Sequence, residues 1–229
     1  AEKKALTEIM TNETWPYCGP QDAAFDAYFD PTNPNYVGDE NAANWARVKY
    51  SMSWPSSTDP FYLANPTEQN ERRNYYGVNG IPAGFGNGSS AGSSAATWRS
   101  SGLSNIGDPT PVSIVFNGGM INDVLQMSVT VSSESDLSTT DLRLFVCTSI
   151  DSVYYNSPSA YDDFENVFID FLTSSSGQDL DLDGVNDITE EFNWSMPSPW
   201  PNTNPNIIWD ISDLNVIAFV QNYTSKDVL

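Results

Sequence analysis

The segment from residue 179 to residue 190 carries the clearest chemistry in the sequence, because its aspartates recur at the spacing of a metal-binding loop. Counted from 179, side-chain oxygens stand at positions 1, 3, 5, 9 and 12, glycine at position 6 and a backbone carbonyl at position 7. Calcium takes about six to eight oxygen ligands, and a tightly turned loop with a central glycine brings alternate side chains to one centre. The spacing predicts one structural calcium ion, held by Asp179, Asp181, Asp183, Val185, Asp187 and Glu190.

The alternative for this segment is an acidic, solvated turn without an ion. Four aspartates within nine residues repel one another unless a cation neutralises them, which favours a bound ion. The flanking segments 174–177 and 196–199 are poor in helix formers, and Asn186 stands where helix–loop–helix sites prefer an apolar residue. The loop is similar to the Asp-rich calcium loops of extracellular thrombospondin-type repeats. We therefore expect the ion to brace a long connection between strands and favour this role over that of a regulatory switch.

A second motif, Thr14-Trp15-Pro16-Tyr17-Cys18-Gly19-Pro20, lies between the first predicted strand, 5–10, and a helix predicted after Pro20. Thioredoxin folds carry a Cys-x-x-Cys motif at this place in the chain. About sixty residues later, Pro82 follows Gly80-Ile81, and in that fold a proline in such a context is typically cis and packs against the redox motif. We therefore expect Pro82 to be cis and to lie beside the segment Trp15–Cys18.

Four stretches of the sequence resemble a known protein family: 11–19, 59–62, 76–82 and 216–222. They look like the thioredoxin-like surface proteins of Bacteroidetes-type bacteria that are named after a twenty-eight-kilodalton outer-membrane antigen. The resemblance covers nearly the whole chain. It implies a thioredoxin-like domain joined to a β-sandwich, export from the cell and, for many members, no established activity.

The chain departs from the redox motif at its first position, where Trp15 stands in place of the nucleophilic cysteine. A dithiol cycle is then impossible, because Cys18 keeps only the place of the second, resolving cysteine. Three roles stay open for Cys18. We favour a small buried apolar side chain; the others are a disulfide to Cys147, which needs Cα atoms within roughly 7 Å of each other, and monothiol chemistry.

The composition excludes several classes of function. Nine Lys and Arg against 30 Asp and Glu give the 229 residues a net charge of −21, which repels nucleic acids and anionic lipids. Histidine is absent, which removes Ser-His-Asp and Cys-His catalysis and every imidazole metal ligand. No apolar run is long enough to span a bilayer. No hydrophobic signal-like run follows residues 1–4, so we expect a mature, processed chain. The wealth of Ser, Thr, Asn and Asp indicates a secreted protein or one on the outer cell surface.

The hydrophobic pattern divides the chain into an α/β part, 1–107, and an all-β part, 108–229. The first part has predicted strands at 5–10 and 45–52, a helix after Pro20 and a helix at 66–76 that ends at Gly77. Residues 84–107 are rich in glycine and serine and are predicted to form a loop or linker. The second part has strand-like runs at 112–116, 124–131, 142–147 and 214–222, and a run at 164–172 that fits a strand or a short helix. The predicted fold class is a thioredoxin-like α/β domain followed by an antiparallel β-sandwich with the calcium loop.

Seven tryptophans in an acidic, exported protein suggest a competing site, since aromatic faces stack on sugars. The segment from Trp194 to Trp200 is the candidate platform; the alternative is that these side chains fill a sandwich core. Nothing in the sequence fixes two carboxyl groups at the separations that glycosidases need, so we name no catalytic acids.

Taken together, these features predict an exported, non-catalytic, calcium-binding surface protein that acts as a binding or self-assembly module. The absence of histidine, of a redox pair and of a basic anion site leaves few ways to activate a nucleophile. The expected partners are copies of the same chain in an oligomer or filament, or a surface glycan or protein. The alternative functions are a thiol–disulfide protein that uses Cys18 as a monothiol and a carbohydrate-binding module.

Overall fold

Strands and helices alternate in the first half of the chain. The computed structural model describes residues 1–159, 161–201 and 206–229. In chain order, the elements of the first half are β1 (Ala5–Thr11), α1 (Gly19–Asp26), α2 (Asp39–Ala43), β2 (Trp45–Ser51), α3 (Pro60–Ala64), α4 (Pro66–Tyr76), β3 (Ala83–Gly86), β4 (Ser89–Gly92) and α5 (Ala95–Leu103). The strands predicted at 5–10 and 45–52 and the helices predicted after Pro20 and at 66–76 are confirmed.

Helix α4 begins and ends at residue types that favour those positions. The side chain of Asn65 accepts a hydrogen bond from the N–H of Glu68, and Pro66 stands in the first turn, where its missing N–H has no partner within the helix. Gly77 ends the helix with a φ of 72°, a left-handed conformation that suits a residue without Cβ. Among the described residues, no helix has the length and apolar character needed to cross a membrane.

The prediction of a loop or linker at 84–107 is wrong, because this segment contains β3, β4 and α5. Its small residues serve close packing. A Cβ atom on Gly84 would lie 2.2 Å from Nε1 of Trp98, and one on Gly102 would lie 1.8 Å from the ring of Trp45. Glycine at these two positions lets the indole rings pack directly against the backbone. The glycine-rich composition of this segment, which suggests a flexible linker in the sequence, therefore reflects close packing.

The second half of the chain is formed by strands. They are β5 (Val112–Ile121), β6 (Val124–Ser133), β7 (Leu142–Ile150), β8 (Val153–Tyr155), β9 (Asp163–Phe164), β10 (Val167–Phe171), β11 (Gln178–Leu180), β12 (Ile188–Ser195), β13 (Ile207–Trp209) and β14 (Leu214–Asn222). Strands β5 and β6 form a hairpin whose two turn residues, Asn122 and Asp123, both have positive φ, as their residue types favour. The strands predicted in this half are confirmed, and the run at 164–172 contains strand β10 rather than a helix.

The largest sheet draws strands from both halves of the chain. Its order is β14-β7-β10-β2-β1-β3-β4, with β11 also beside β7. Strand β1 is parallel to β2 and antiparallel to β3, and β3 is antiparallel to β4. Strand β2 also pairs with β10, through Lys49 and Val167. Residue 107 therefore does not separate two independent sheets.

The faces of this sheet pack against different partners. A second sheet, with the order β12-β6-β5, packs against the face of β7 that carries Leu144 and Val146. The opposite face of β7, with Phe145, shares a core with Tyr76 of α4 and Met10 of β1. The other face of β1 packs against α1 and α5. The fold is therefore β-rich, with two sheets face to face in the second half and helices on both sides of β1.

A buried ion pair connects α4 to the large sheet. Arg72 of α4 donates from Nε and Nη2 to the two carboxylate oxygens of Glu8 on β1, over 2.6 and 2.8 Å. The same Nη2 donates to Gln221 of β14 over 2.9 Å. All three side chains are buried. Burial works against the charged guanidinium, but Glu8 outweighs this effect and raises the pKa of Arg72.

Candidate functional site at the end of the first strand

The topology brings the predicted motif residues Trp15, Cys18 and Pro82 to the C-terminal end of β1. The turn that follows β1 contains Trp15, and Cys18 is the N-cap residue of α1. Strand β3 begins directly after Pro82, and its first residue, Ala83, pairs with Met10 near the end of β1. The peptide bond that precedes Pro82 is cis, as the sequence predicts.

Trp15 packs at the rim of this site against an exposed aromatic residue. Its ring centroid lies 5.3 Å from that of Tyr17, whose side chain is 70% exposed. Trp15, the first residue of the motif predicted from the sequence, is thus an aromatic ring that packs next to another.

Cys18 is fully buried. Burial, together with the nearby carboxylate of Asp22, raises the pKa of its thiol to about 12. A helix N-terminus lowers the pKa of a cysteine, but here burial and negative charge outweigh it, so the thiol stays protonated at neutral pH. Cys147 on β7 is also buried, and burial raises its pKa as well. Both cysteines are free thiols, so the disulfide considered from the sequence is not formed.

Asp22 of α1 is a buried carboxylate next to Cys18. The hydroxyl of Thr11 donates a hydrogen bond to one of its oxygens. The other oxygen, Oδ1, has no hydrogen-bond partner in the part of the chain that the structure describes. Burial raises the pKa of Asp22 to about 6, although the ammonium of Lys49 acts in the opposite direction. The folded protein therefore resists ionisation of Asp22 more than a solvated aspartate would.

Glu13, in the turn after β1, is a second buried acid. Burial and then the charge of Asp59 raise its pKa well above the ordinary value. Asp59 accepts hydrogen bonds from the N–H groups of Phe61 and Tyr62 at the start of α3. Among the described residues, Oε2 of Glu13 has no hydrogen-bond partner. The raised pKa therefore favours the protonated form of Glu13.

The ammonium of Lys49 is buried beside the carboxylates of this region. Nζ of Lys49 lies 2.5 Å from Oδ2 of Asp26, and both side chains are buried. Arg47, at the edge of the region, lies 2.9 Å from Glu165 and 3.7 Å from Asp26. Lys49 also acts on Asp22. Among the described residues of this region, the four buried acids Glu13, Asp22, Asp26 and Asp59 outnumber this one buried lysine. This excess of acidic groups disfavours any further negative charge, including that of a thiolate.

Residues 157–159 and Tyr161 cover the site from outside. The hydroxyl of Ser157 donates to the backbone carbonyl of Glu13, and the hydroxyl of Tyr161 donates to Asp26 over 3.1 Å. A Cβ atom on Gly19 would lie 3.2 Å from the hydroxyl oxygen of Ser159. The second half of the chain thus seals the end of β1 and keeps Cys18 away from solvent.

The buried acids were not identified from the sequence, although two signals point to them. Asp22 interrupts an apolar helical face, and Lys49 interrupts the apolar run of a predicted strand. A charged residue in such a position needs a buried partner. Asp59 before Pro60 is a typical helix N-cap pair. None of these signals shows which charges meet, because that depends on the pairing of β1 with β2.

The predicted calcium ligands extend from one sheet to the other. Asp179 lies on β11, is 90% exposed and pairs with Arg143 over 3.4 Å, while Glu190 lies on β12. Between them, Asp183 accepts hydrogen bonds from the N–H groups of Val185 and Asn186. The residue types suit calcium, but within residues 1–159, 161–201 and 206–229 no group of three or more His, Cys, Asp or Glu side chains is placed to hold a metal ion. Calcium binding therefore stays a prediction.

The tryptophans proposed as a sugar platform lie in the core. Trp194 and Trp200 are only 8% and 4% exposed. Nε1 of Trp194 donates to Asp170 over 2.9 Å, and the ring of Trp200 packs against Phe61 and Trp209. The suggestion that these two residues form a sugar-binding platform is wrong, because their apolar rings are more stable inside the sandwich than in water.

Comparisons with known proteins identify one structural relative. No protein-family model and no curated protein matches the chain. Among solved structures, the fold is similar to that of HBP35 of Porphyromonas gingivalis, with a TM-score of 0.74 and 15% sequence identity. The similarity covers 99% of this chain and 73% of that protein's chain. At this level of identity the match establishes a shared fold.

Proposed function

We propose that the protein is an exported, non-catalytic module of the cell surface that binds partners or assembles with copies of itself. We further propose that its N-terminal part has a thioredoxin-like fold whose redox motif has lost its function. The order β2-β1-β3-β4, with β1 and β2 parallel and β3 and β4 antiparallel, supports this assignment. So do the helices on both faces of β1 and the cis bond before Pro82.

The burial of Cys18 is the observation that carries the proposal. A thiol that is fully buried, with a pKa near 12, provides almost no thiolate at neutral pH, and Trp15 supplies no second sulfur. The carboxyl groups of Asp22 and Glu13 disfavour a thiolate further. The site therefore suits a structural role better than nucleophilic or redox chemistry.

The binding part of the proposal is supported by apolar side chains on an outer strand. Val115, Phe116, Met120 and Ile121 on β5 are each at least 41% exposed. Strand β5 ends its sheet, since among the described residues it pairs only with β6. Exposed apolar residues on an edge strand are typical of interaction surfaces.

An insulin-reduction assay tests the loss of thiol activity. We expect the wild-type protein and the Cys18→Ser and Cys147→Ser variants to reduce insulin at the same background rate in dithiothreitol. A rate above background that disappears in Cys18→Ser and persists in Cys147→Ser would refute the proposal.

Size-exclusion chromatography at several protein concentrations tests assembly. A rise in apparent mass with concentration would favour self-assembly, and a monomer at every concentration would leave binding of another partner as the function. Repeating the measurement with calcium and with a chelator shows whether the predicted ion takes part.

A further inference from the structure

Strand β14 has one open edge. Along its other edge it pairs with β7 from Leu214 to Asn222. The open edge is occupied only at its end, where Val220 and Asn222 form hydrogen bonds with the segment 227–229. Because successive residues of a strand direct their N–H and C=O groups to opposite sides, Val216 and Ala218 direct theirs to the same open edge. In the described part of the chain, no hydrogen bond is made to these outward groups of Val216 and Ala218.

A groove of about 320 Å³ runs along this open edge. One wall is the edge of β14 from Asn215 to Ala218, and another is Phe116 of β5, whose side chain is 46% exposed. Trp45 and Arg47 of β2 also line it. The groove therefore combines a row of unpaired backbone groups with apolar side chains, which together suit an added β-strand.

The charged residues that line the groove are Lys4, Arg47 and Asp151. Arg47 is neutralised by Asp26, Glu165 and Asp151. Lys4 also lines the groove, and its ammonium takes part in no ion pair or hydrogen bond among the described residues. A free ammonium beside an unpaired strand edge favours an acidic group on the occupant. Two copies of a chain with a net charge of −21 repel each other, so we consider a separate partner as the occupant.

We infer that an extended peptide segment of a partner protein, with an acidic side chain that faces Lys4, pairs with Val216 and Ala218 as an added strand. This inference rests on the proposed binding function and names its site. The peptide's backbone satisfies the outward groups of β14, its apolar side chains pack against Phe116, and its acidic group pairs with Lys4. Pairing of residues 227–229 with the adjacent part of β14 shows that this edge accepts a strand.

Selection from a displayed library of random ten-residue peptides tests the site. We expect enrichment of sequences that alternate apolar and polar residues and contain one Asp or Glu. In hydrogen exchange with the best peptide, the amides of Val216 and Ala218 should change from fast to protected. An enriched peptide that leaves these two amides unprotected would refute the site, and so would a library without enrichment.

Single substitutions test the contacts by fluorescence polarisation with the labelled peptide. Ala218→Pro removes an outward N–H that β7 does not use, and proline is tolerated at such edge positions. We expect it to weaken binding about threefold to tenfold. Asn193→Pro is the matched control, because it places proline at an exposed position of the edge strand β12, outside the groove, and it should bind like wild type.

Lys4→Glu tests the charge complement. It should weaken binding by about threefold or more and should shift a repeated selection towards basic residues, whereas Arg99→Glu, outside the groove, should change neither result. Equal affinity of wild type, Ala218→Pro and Lys4→Glu would overturn the inference. If Ala218→Pro fails to fold, the affinity of Lys4→Glu and the hydrogen exchange of the Val216 and Ala218 amides test the inference instead. Thiol activity through Cys18 would refute the proposed function, whereas failure of these experiments refutes the groove alone.

Discussion

Replacement of Asp22 by asparagine should change how the stability of this protein depends on pH. The carboxylate of Asp22 is fully buried, accepts a hydrogen bond from Thr11 and has one oxygen without a partner. Asparagine has the same shape, can accept the same hydrogen bond and cannot ionise. The variant therefore isolates the free energy associated with ionising one buried acid.

The magnitude follows from the pKa of Asp22. Burial raises it from 3.8 to about 6, so the folded state holds the proton more tightly than the unfolded state does. The stabilisation from this proton is complete below pH 3.8 and is lost as the pH rises through about 6. The difference between these pKa values corresponds to ~3 kcal/mol. Relative to wild type, Asp22→Asn should therefore gain ~3 kcal/mol of unfolding free energy between pH 3 and pH 7.

Urea unfolding of both proteins at pH 3, 5 and 7 measures this difference. Effects of other ionisable groups cancel in the comparison, provided that they are the same in both proteins. Asp108→Asn, at an exposed aspartate, is the matched control and should follow wild type at each pH. A stability difference between Asp22→Asn and wild type that stays constant with pH would refute the assignment of a raised pKa to Asp22.

Three further changes test other parts of the structure. Glu8→Ala leaves Arg72 buried without its anion and should lower the unfolding free energy by about 3–5 kcal/mol. A loss below about 1 kcal/mol would contradict a structural role of this ion pair. Gly84→Ala places a Cβ atom 2.2 Å from Trp98 and should lower the free energy of unfolding in urea by about 1–3 kcal/mol. Gly119→Ala is the control, because Gly119 has open space around it, and it should not lower this free energy. Equal stability of the two variants would contradict the close packing around Gly84. If the predicted calcium ion is bound, calcium at 100 times its Kd should stabilise the protein by about 2.7 kcal/mol relative to a sample with chelator. Asp181→Asn should remove this difference. A melting temperature that calcium leaves unchanged would refute the prediction of a bound ion.

Local patterns were sufficient for most of the elements. The strand β1, the helix after Pro20 and the end of α4 at Gly77 each follow from a short run of residues with a clear periodicity or cap. The cis bond before Pro82 was also predicted. These features depend on neighbours in sequence or on a motif, so the sequence alone indicates them.

Features that depend on distant contacts were not predicted. Gly84 and Gly102 look like linker residues in sequence, and only their contacts with Trp98 and Trp45 show that they are packed. The pairing of Lys49 with Val167 joins the two halves through a long-range register that no local pattern specifies. For the same reason the buried acids around Cys18 could be recognised individually but not as one cluster.

The accessibility of Cys18 is the most direct test of the central claim that this strand end has no thiol chemistry. The native protein is treated with iodoacetamide at pH 8, and labelling is located by mass spectrometry, with the Cys147→Ser variant leaving Cys18 as the single thiol. We predict no labelling of Cys18 in the native protein and complete labelling after unfolding in guanidinium chloride. Rapid labelling of native Cys18 would contradict the account.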